Sequence, residues 1–155
     1  MKHNEKKILL ILIIGLTIFD QILKIIFFIS NVKIGNIDGW SLGIIQNSKT
    51  ESNTQYILMY IIAIGMLIRY ITRKNVYINT KSRIIIGFAI AGCASNLIDR
   101  IWNGGIINYI NIPKFSTLNL GYIYIIITWI GMAVILTKYT GERIKEKNEK
   151  RNNSK

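Results

Sequence analysis

The chain has 155 residues, half of them hydrophobic, with one proline, one cysteine, one histidine and a formal net charge of +12. Cys93 has no partner for an intrachain disulfide, and His3 alone supplies neither a Cys/His ligand set nor a Ser-His-Asp triad, so no metal and no other cofactor is expected. Lysines and arginines flank long apolar runs and form no aromatic-interleaved patch, which points to a membrane and away from nucleic acid.

After Lys2, Lys6 and Lys7, residues 8–29 are apolar except for Thr17, Asp20, Gln21 and Lys24. A run of about 22 residues crosses a hydrocarbon core of about 30 Å. No small-residue cleavage site follows it, so it reads as an uncleaved first span and not as a secretory signal. Asp20 and Lys24 stand at helical i, i+4 spacing and are expected to pair, with Lys24 snorkelling to the interface. Residues 30–54 form a polar external segment in which Gly35, Asp38-Gly39, Gly43 and Asn47 punctuate Val32, Ile34, Ile37, Trp40, Leu42, Ile44 and Ile45. This near-alternation predicts two or three short strands in a cap that rests on the bilayer through Trp40.

Residues 55–72 form a second span, closed by Arg69, Tyr70, Arg73 and Lys74, and a short loop adding Lys81 and Arg83 leads to a third span over 84–101. The second external segment, 102–118, contains Gly104-Gly105, Asn108, Asn111, Pro113 and Lys114. The fourth span, 120–137, has Tyr122, Tyr124 and Trp129 as aromatic anchors, and the basic tail 138–155 predicts a short helical extension that frays into disorder. The expected fold class is an all-α integral membrane protein, with residues 1–155 forming one domain of four transmembrane helices under a small extracytoplasmic β-rich cap. Lysine and arginine crowd the first residues, the loop after the second span and the tail, which places both termini in the cytoplasm. No internal repeat supports an inverted-repeat transporter.

The third span breaks its own apolarity at its outer end with Asn96, Asp99 and Arg100. Their spacing puts all three on one helix face, where they can satisfy one another. Within a membrane such a cluster marks a functional site, because a charge at depth needs a partner or a wet cavity.

Taken together these residues resemble the lipoprotein signal peptidase (signal peptidase II) family over nearly the whole chain. Asp20-Gln21-Ile22-Leu23-Lys24 is similar to the family's Asp-x-x-x-Lys, and Gly92-Cys93-Ala94-Ser95-Asn96-Leu97-Ile98-Asp99-Arg100 to its Gly-x-x-x-Asn-x-x-Asp-Arg, the most specific of the blocks. Gly105-Ile106-Ile107-Asn108-Tyr109 stands where the family has Gly-Val-Val-Asp-Phe, and Leu118-Asn119-Leu120-Gly121-Tyr122 where it has Phe-Asn-x-Ala-Asp. The resemblance implies a multi-pass aspartic endopeptidase of the bacterial cytoplasmic membrane, surrounded by membrane lipid, which removes signal peptides from diacylglyceryl-modified prolipoproteins. It places that enzyme's two catalytic aspartates at positions occupied here by Asn108 and Tyr122, so no catalytic residue is intact.

An aspartic peptidase needs one ionised carboxylate to activate water and one protonated carboxyl to polarise the scissile carbonyl. Asn108 cannot take a proton from water, and a tyrosine hydroxyl, with an unperturbed pKa near 10, is a poor general base. The family's Asn-x-Gly-Ala-Ala-Phe is reduced to Asn47 followed by Ser48-Lys49-Thr50-Glu51-Ser52. What the resemblance leaves is binding. Asn96, Arg100, Asn119 and Asn47 would meet a lipoprotein signal peptide or a lipopeptide, while Asp20, Lys24 and Asp99 hold helices together. The expected role is a decoy, immunity or accessory protein. The alternatives are an active peptidase that recruits Asp20, Glu51 or Asp99, and a small transporter or membrane-complex subunit.

The topology is checked by single-cysteine labelling after Cys93 is replaced. Cysteines at Ser41 and Lys114 are expected to react from outside the cell, and cysteines at Asn79 and Ser154 only from inside.

Overall fold

Each of the four apolar runs folds as one long helix in the computed structural model, which describes residues 3–34, 43–46, 50–73, 79–112 and 116–152. The elements are α1 (His3–Ile34), β1 (Gly43–Gln46), α2 (Thr50–Thr72), α3 (Thr80–Asn103), β2 (Gly105–Asn108), β3 (Ile110–Ile112), β4 (Ser116–Leu118) and α4 (Leu120–Asn152). All four helices are long and apolar enough to cross a membrane. The molecule is an all-α membrane protein with a small β cap.

Helix α3 is the axis of the bundle. In its most apolar window 61% of residues are buried, against 17% or less in the other three helices, and it packs against α1, α2 and α4 while α1 and α4 barely meet. Its sequence explains this position, because Gly87, Ala89, Ala91, Gly92, Cys93 and Ser95 are small and buried and let neighbouring backbones approach. A Cβ added to Gly92 would collide with the Gly121 carbonyl oxygen of α4, so the crossing of α3 and α4 requires glycine there. Asn79 caps the start of α3 by accepting from Ser82 N at 2.8 Å, and Gly104 ends it with φ 68°, a left-handed turn that suits glycine. At the Asn79 end, Leu9, Ile71, Ile86 and Ile90 form a buried cluster.

At the other end lies the cap. Strand β1 pairs antiparallel with β2, Gly43 opposite Asn108 and Gln46 opposite Gly105, and β3 pairs antiparallel with β4, Ile110 opposite Leu118. Among the described residues, three of the four strands therefore lie in 102–118, where no strand was expected. Strand β2 is buried throughout and its Gly-Ile-Ile-Asn sequence carries no alternation to reveal it. In the first external segment one strand, β1, is found among the described residues, and Trp40, Asn47, Pro113 and Lys114 lie outside them.

Several boundaries move. Helix α1 continues to Ile34 and α2 begins at Thr50, so the external segment between them is shorter than 30–54. Helix α4 carries on to Asn152, well past the expected end of the fourth span. No proline interrupts that extension, and Glu146 precedes Lys150 at the i, i+4 spacing that favours a helix. Tyr124 is not an interfacial anchor. It is 6% exposed and packs edge-to-face on Phe88 with ring centroids 5.8 Å apart, because the α4 face it occupies is the one turned to α3.

Gly92→Ala is expected to destabilise the protein by about 1–3 kcal/mol, the usual cost of overpacking. Gly15→Ala, with nothing within 4 Å of the added Cβ, is the control and is expected to hold or gain stability, by up to about 1 kcal/mol. Thermal unfolding in detergent compares the two.

Candidate functional site

Polar side chains of α1 and α3 meet just beneath the cap and are closed off from solvent. Asp20, Lys24, Ser95, Asn96, Asp99, Arg100, Asn108, Tyr109 and Asn119 are each 5% exposed or less. The Lys24 ammonium is the hub, with Nζ 2.8 Å from Asp20 Oδ2 and 2.8 Å from Asp99 Oδ2. It also donates to Ser95 Oγ at 3.1 Å and Asn96 Oδ1 at 3.2 Å. Ser95 Oγ donates to Asp20 Oδ2 at 2.5 Å, and Gln21 Nε2 donates to Ser95 Oγ and Asp99 Oδ1, each at 2.9 Å.

The cap is tied to this network twice. Ile107 N donates to Asp99 Oδ2 at 3.1 Å, and the Tyr109 hydroxyl donates to Asp20 Oδ1 at 2.9 Å while accepting from Leu120 N at 3.1 Å. The Tyr109 ring stacks on Phe27 at 5.0 Å. Burial, and then the neighbouring Asp20 carboxylate, push the Tyr109 hydroxyl above the ordinary tyrosine range, so it remains a proton donor.

Asn119 joins the start of α4 to the same centre. Its Oδ1 accepts from Tyr122 N at 2.9 Å and caps the helix, and its Nδ2 is shared among Asn96 Oδ1 at 2.9 Å, Asn108 Oδ1 at 3.0 Å and Ile107 O at 3.0 Å. Asn108 is fully buried, and its Nδ2 reaches Thr117 Oγ1 at 3.4 Å. Tyr122 is half-buried in the first turn of α4.

The expected mutual pairing of Asn96, Asp99 and Arg100 does not form. Asp99 turns to Lys24 on α1, Asn96 to Lys24 and Asn119, and Arg100 to α2. There its guanidinium lies 4.2 Å from the Tyr56 ring centroid and 6.0 Å from that of Tyr60, with Nη1 3.4 Å from Asn53 Oδ1. Lys24 does not snorkel either, since the two carboxylates, Ser95 and Asn96 hold its ammonium in place. Two buried donors, Asn96 Nδ2 and Arg100 Nε, have no partner among the described residues.

Sequence reading missed Gln21, Ser95 and Tyr109 in the network and Asn53, Tyr56 and Tyr60 beside Arg100. The signals available were the polarity of Gln21 within an apolar run and the i, i+4 spacing of Tyr56 and Tyr60. Asn47 is outside the described residues, and Glu51 lies in the first turn of α2. Among the described residues no three Asp, Glu, His or Cys side chains converge as metal ligands.

The fold and this site define a four-span membrane protein with a charge-neutral polar network under its cap. The profile of the family described as signal peptidase (SPase) II matches residues 11–138. The chain belongs to the signal peptidase II family. Two solved structures have the same fold. One, a bacterial membrane enzyme determined by the in meso method at 2.3 Å resolution, is 24% identical, with a TM-score of 0.71 over 88% of this chain and 91% of its own. The other, described in the same words at 1.9 Å resolution, is 23% identical, with a TM-score of 0.70 over 84% of this chain and 92% of its own. No curated protein matches the sequence.

Removing one partner of a buried pair leaves a charge uncompensated, so Asp99→Ala is expected to cost about 3–5 kcal/mol and to lower the yield of folded protein in detergent. Arg100→Lys is expected to keep the fold, because the charge stays and the groups lost face α2. An unchanged unfolding midpoint for Asp99→Ala would show that Asp99 is solvated.

Proposed function

We propose that this protein is a signal peptidase II relative that no longer cleaves and instead binds a lipoprotein signal peptide or a lipopeptide, in a decoy, immunity or accessory role. The observation that carries this reading is the pair Asn108 and Tyr122 at the positions where the family resemblance puts catalytic aspartates. The Asn108 amide oxygen is taken by Asn119, and Tyr122 presents a half-buried phenol. Neither group can serve as the ionised or the protonated half of a carboxyl dyad.

Asp20 and Asp99 are poor substitutes. Both contact the same ammonium at 2.8 Å, and Ser95, Gln21, Tyr109 and the Ile107 amide donate to their oxygens, so the two carboxyl groups are separated by a cation where a dyad must share a proton. Glu51 is the remaining acid of the alternative, active reading.

Binding is supported by the two orphan donors, Asn96 Nδ2 and Arg100 Nε, since a buried donor left unmade costs about 1–3 kcal/mol and a peptide carbonyl would satisfy it. Asn119, bonded to Asn96 and Asn108, sets the orientation of those two amides. Asp20, Lys24 and Asp99 hold α1 to α3. The protein is one domain of a bacterial cytoplasmic membrane with both termini in the cytoplasm, a reading supported by the lysines and arginines at the α1 start, the α2 end, the α3 start and along the α4 extension.

Purified protein, free of host peptidase, is expected to leave a diacylglyceryl prolipoprotein uncleaved, and Asn108→Asp alone is expected to remain inactive because the mechanism needs two acids. The protein should retain a synthetic diacylglyceryl signal peptide, and Arg100→Lys should weaken that binding by about tenfold, or about 1.4 kcal/mol. Cleavage by the wild-type chain would overturn the non-catalytic reading, and alanine variants of Asp20, Glu51 and Asp99 would then identify the acid used.

A further inference from the structure

At the end of the bundle away from the cap, two cavities share a wall. One, of about 470 Å³, lies where α2 ends, α3 begins and α4 leaves the bundle, and is lined by Tyr70, Lys81, Ser82, Lys138, Tyr139 and Glu142. The other, of about 560 Å³, is an apolar groove with Leu67 of α2, Ile86, Ala89 and Cys93 of α3, and Ile125 and Trp129 of α4 on its walls. Tyr70 and Met132 line both, so the polar mouth adjoins the groove. The groove arises because α2 and α4 each pack on α3 and hardly on each other. Its one buried hydroxyl, on Thr128, donates to Ile85 O at 2.8 Å and Tyr124 O at 3.0 Å, which leaves the walls apolar.

The mouth is suited to a singly charged anion. Two lysines and one glutamate leave one net positive charge, the α3 N-terminus adds its dipole, and Tyr70, Ser82 and Tyr139 bring hydroxyl groups. Neither Lys81 nor Lys138 makes an ion pair among the described residues, whereas the nearby Arg83 is engaged by Glu5 at 3.5 Å. The α4 axis rises about 20 Å between Lys138 and Ile125. One leaflet of hydrocarbon is about 15 Å deep, so a chain whose head group sits at Lys138 ends within the groove.

A phosphodiester joined to an acyl chain has this combination of charge and length. We propose that the composite cleft holds one anionic glycerophospholipid, with its phosphate at Lys81 and Lys138 and one acyl chain between α2 and α4. Basic pockets between transmembrane helices recognise head groups in this way. The site is separate from the polar network under the cap and does not depend on whether that network binds or cleaves peptide.

The test uses the full chain in a neutral detergent. Native mass spectrometry is expected to find one retained phosphatidylglycerol, favoured about tenfold or more over phosphatidylcholine. Lys81→Gln with Lys138→Gln should bring that ratio close to one. Ala63→Trp, on the groove wall, should lose both lipids while its unfolding midpoint in lipid-free detergent stays unchanged. A reporter that needs no variant is Cys93, the chain's only cysteine, which lines the groove and is 8% exposed. Phosphatidylglycerol should slow its alkylation by N-ethylmaleimide several-fold, and glycerol 3-phosphate should not. Equal retention of the two lipids by wild-type protein, an unchanged ratio in the lysine variant, or an alkylation rate indifferent to phosphatidylglycerol would overturn the proposal. Equal protection by glycerol 3-phosphate would reduce the site to a free phosphate pocket and overturn it as well.

Discussion

The Lys24 ammonium, held between Asp20 and Asp99 at 2.8 Å from each, is the interaction on which the cap end of the structure depends. An unpaired ammonium at this depth would cost several kcal/mol to desolvate, and two unpaired carboxylates more. Together with Arg100 the four buried charges sum to zero, and Ser95, Gln21 and Asn96 supply the hydrogen bonds that a close ion cluster still lacks. Because Asp20 and Lys24 belong to α1 and Asp99 to α3, the cluster also fixes how these helices face each other. Tyr109, Ile107 and Asn119 then attach the cap and α4 to the same point, so the cap is positioned by charges within the bundle.

This arrangement bears directly on chemistry. Carboxylates work as a peptidase pair when they are close, mutually repelling and bridged by one proton, which is what divides their protonation states. Asp20 and Asp99 are bridged by an ammonium and surrounded by donors, while Asn119 bonds the Asn108 amide oxygen and the Tyr122 backbone nitrogen. On the proposed reading the scaffold of the signal peptidase II family persists because its helix-locking network is independent of the catalytic acids.

The two ends of the bundle use the same central helix differently. At the cap end α3 carries polar residues that neighbouring elements saturate. Farther along it carries small apolar residues, and α2 and α4 pass over them without closing on each other. The small side chains that admit the close α3–α4 crossing at Gly92 also leave the shallow floor of the groove at Ala89 and Cys93.

The amino-acid sequence by itself determined the four spans, because a bilayer demands about 20 consecutive apolar residues and their absence between runs is equally visible. It also determined the Asp20–Lys24 pair, since both partners lie on one helix and i, i+4 spacing is a local property. The family was legible in contiguous blocks around Asn96, Asn108 and Asn119. Only the tertiary structure decided which helix each polar residue would meet. Spacing put Asn96, Asp99 and Arg100 on one face, but consecutive residues are turned by about 100° around the helix axis, so Asp99 went to Lys24 on α1 and Arg100 to Tyr56 on α2. The same holds for Tyr109 and Asp20, which are far apart in the chain and meet because the cap folds back over α1. Strand β2 stayed hidden because burial on both faces removes the alternation by which a strand is recognised.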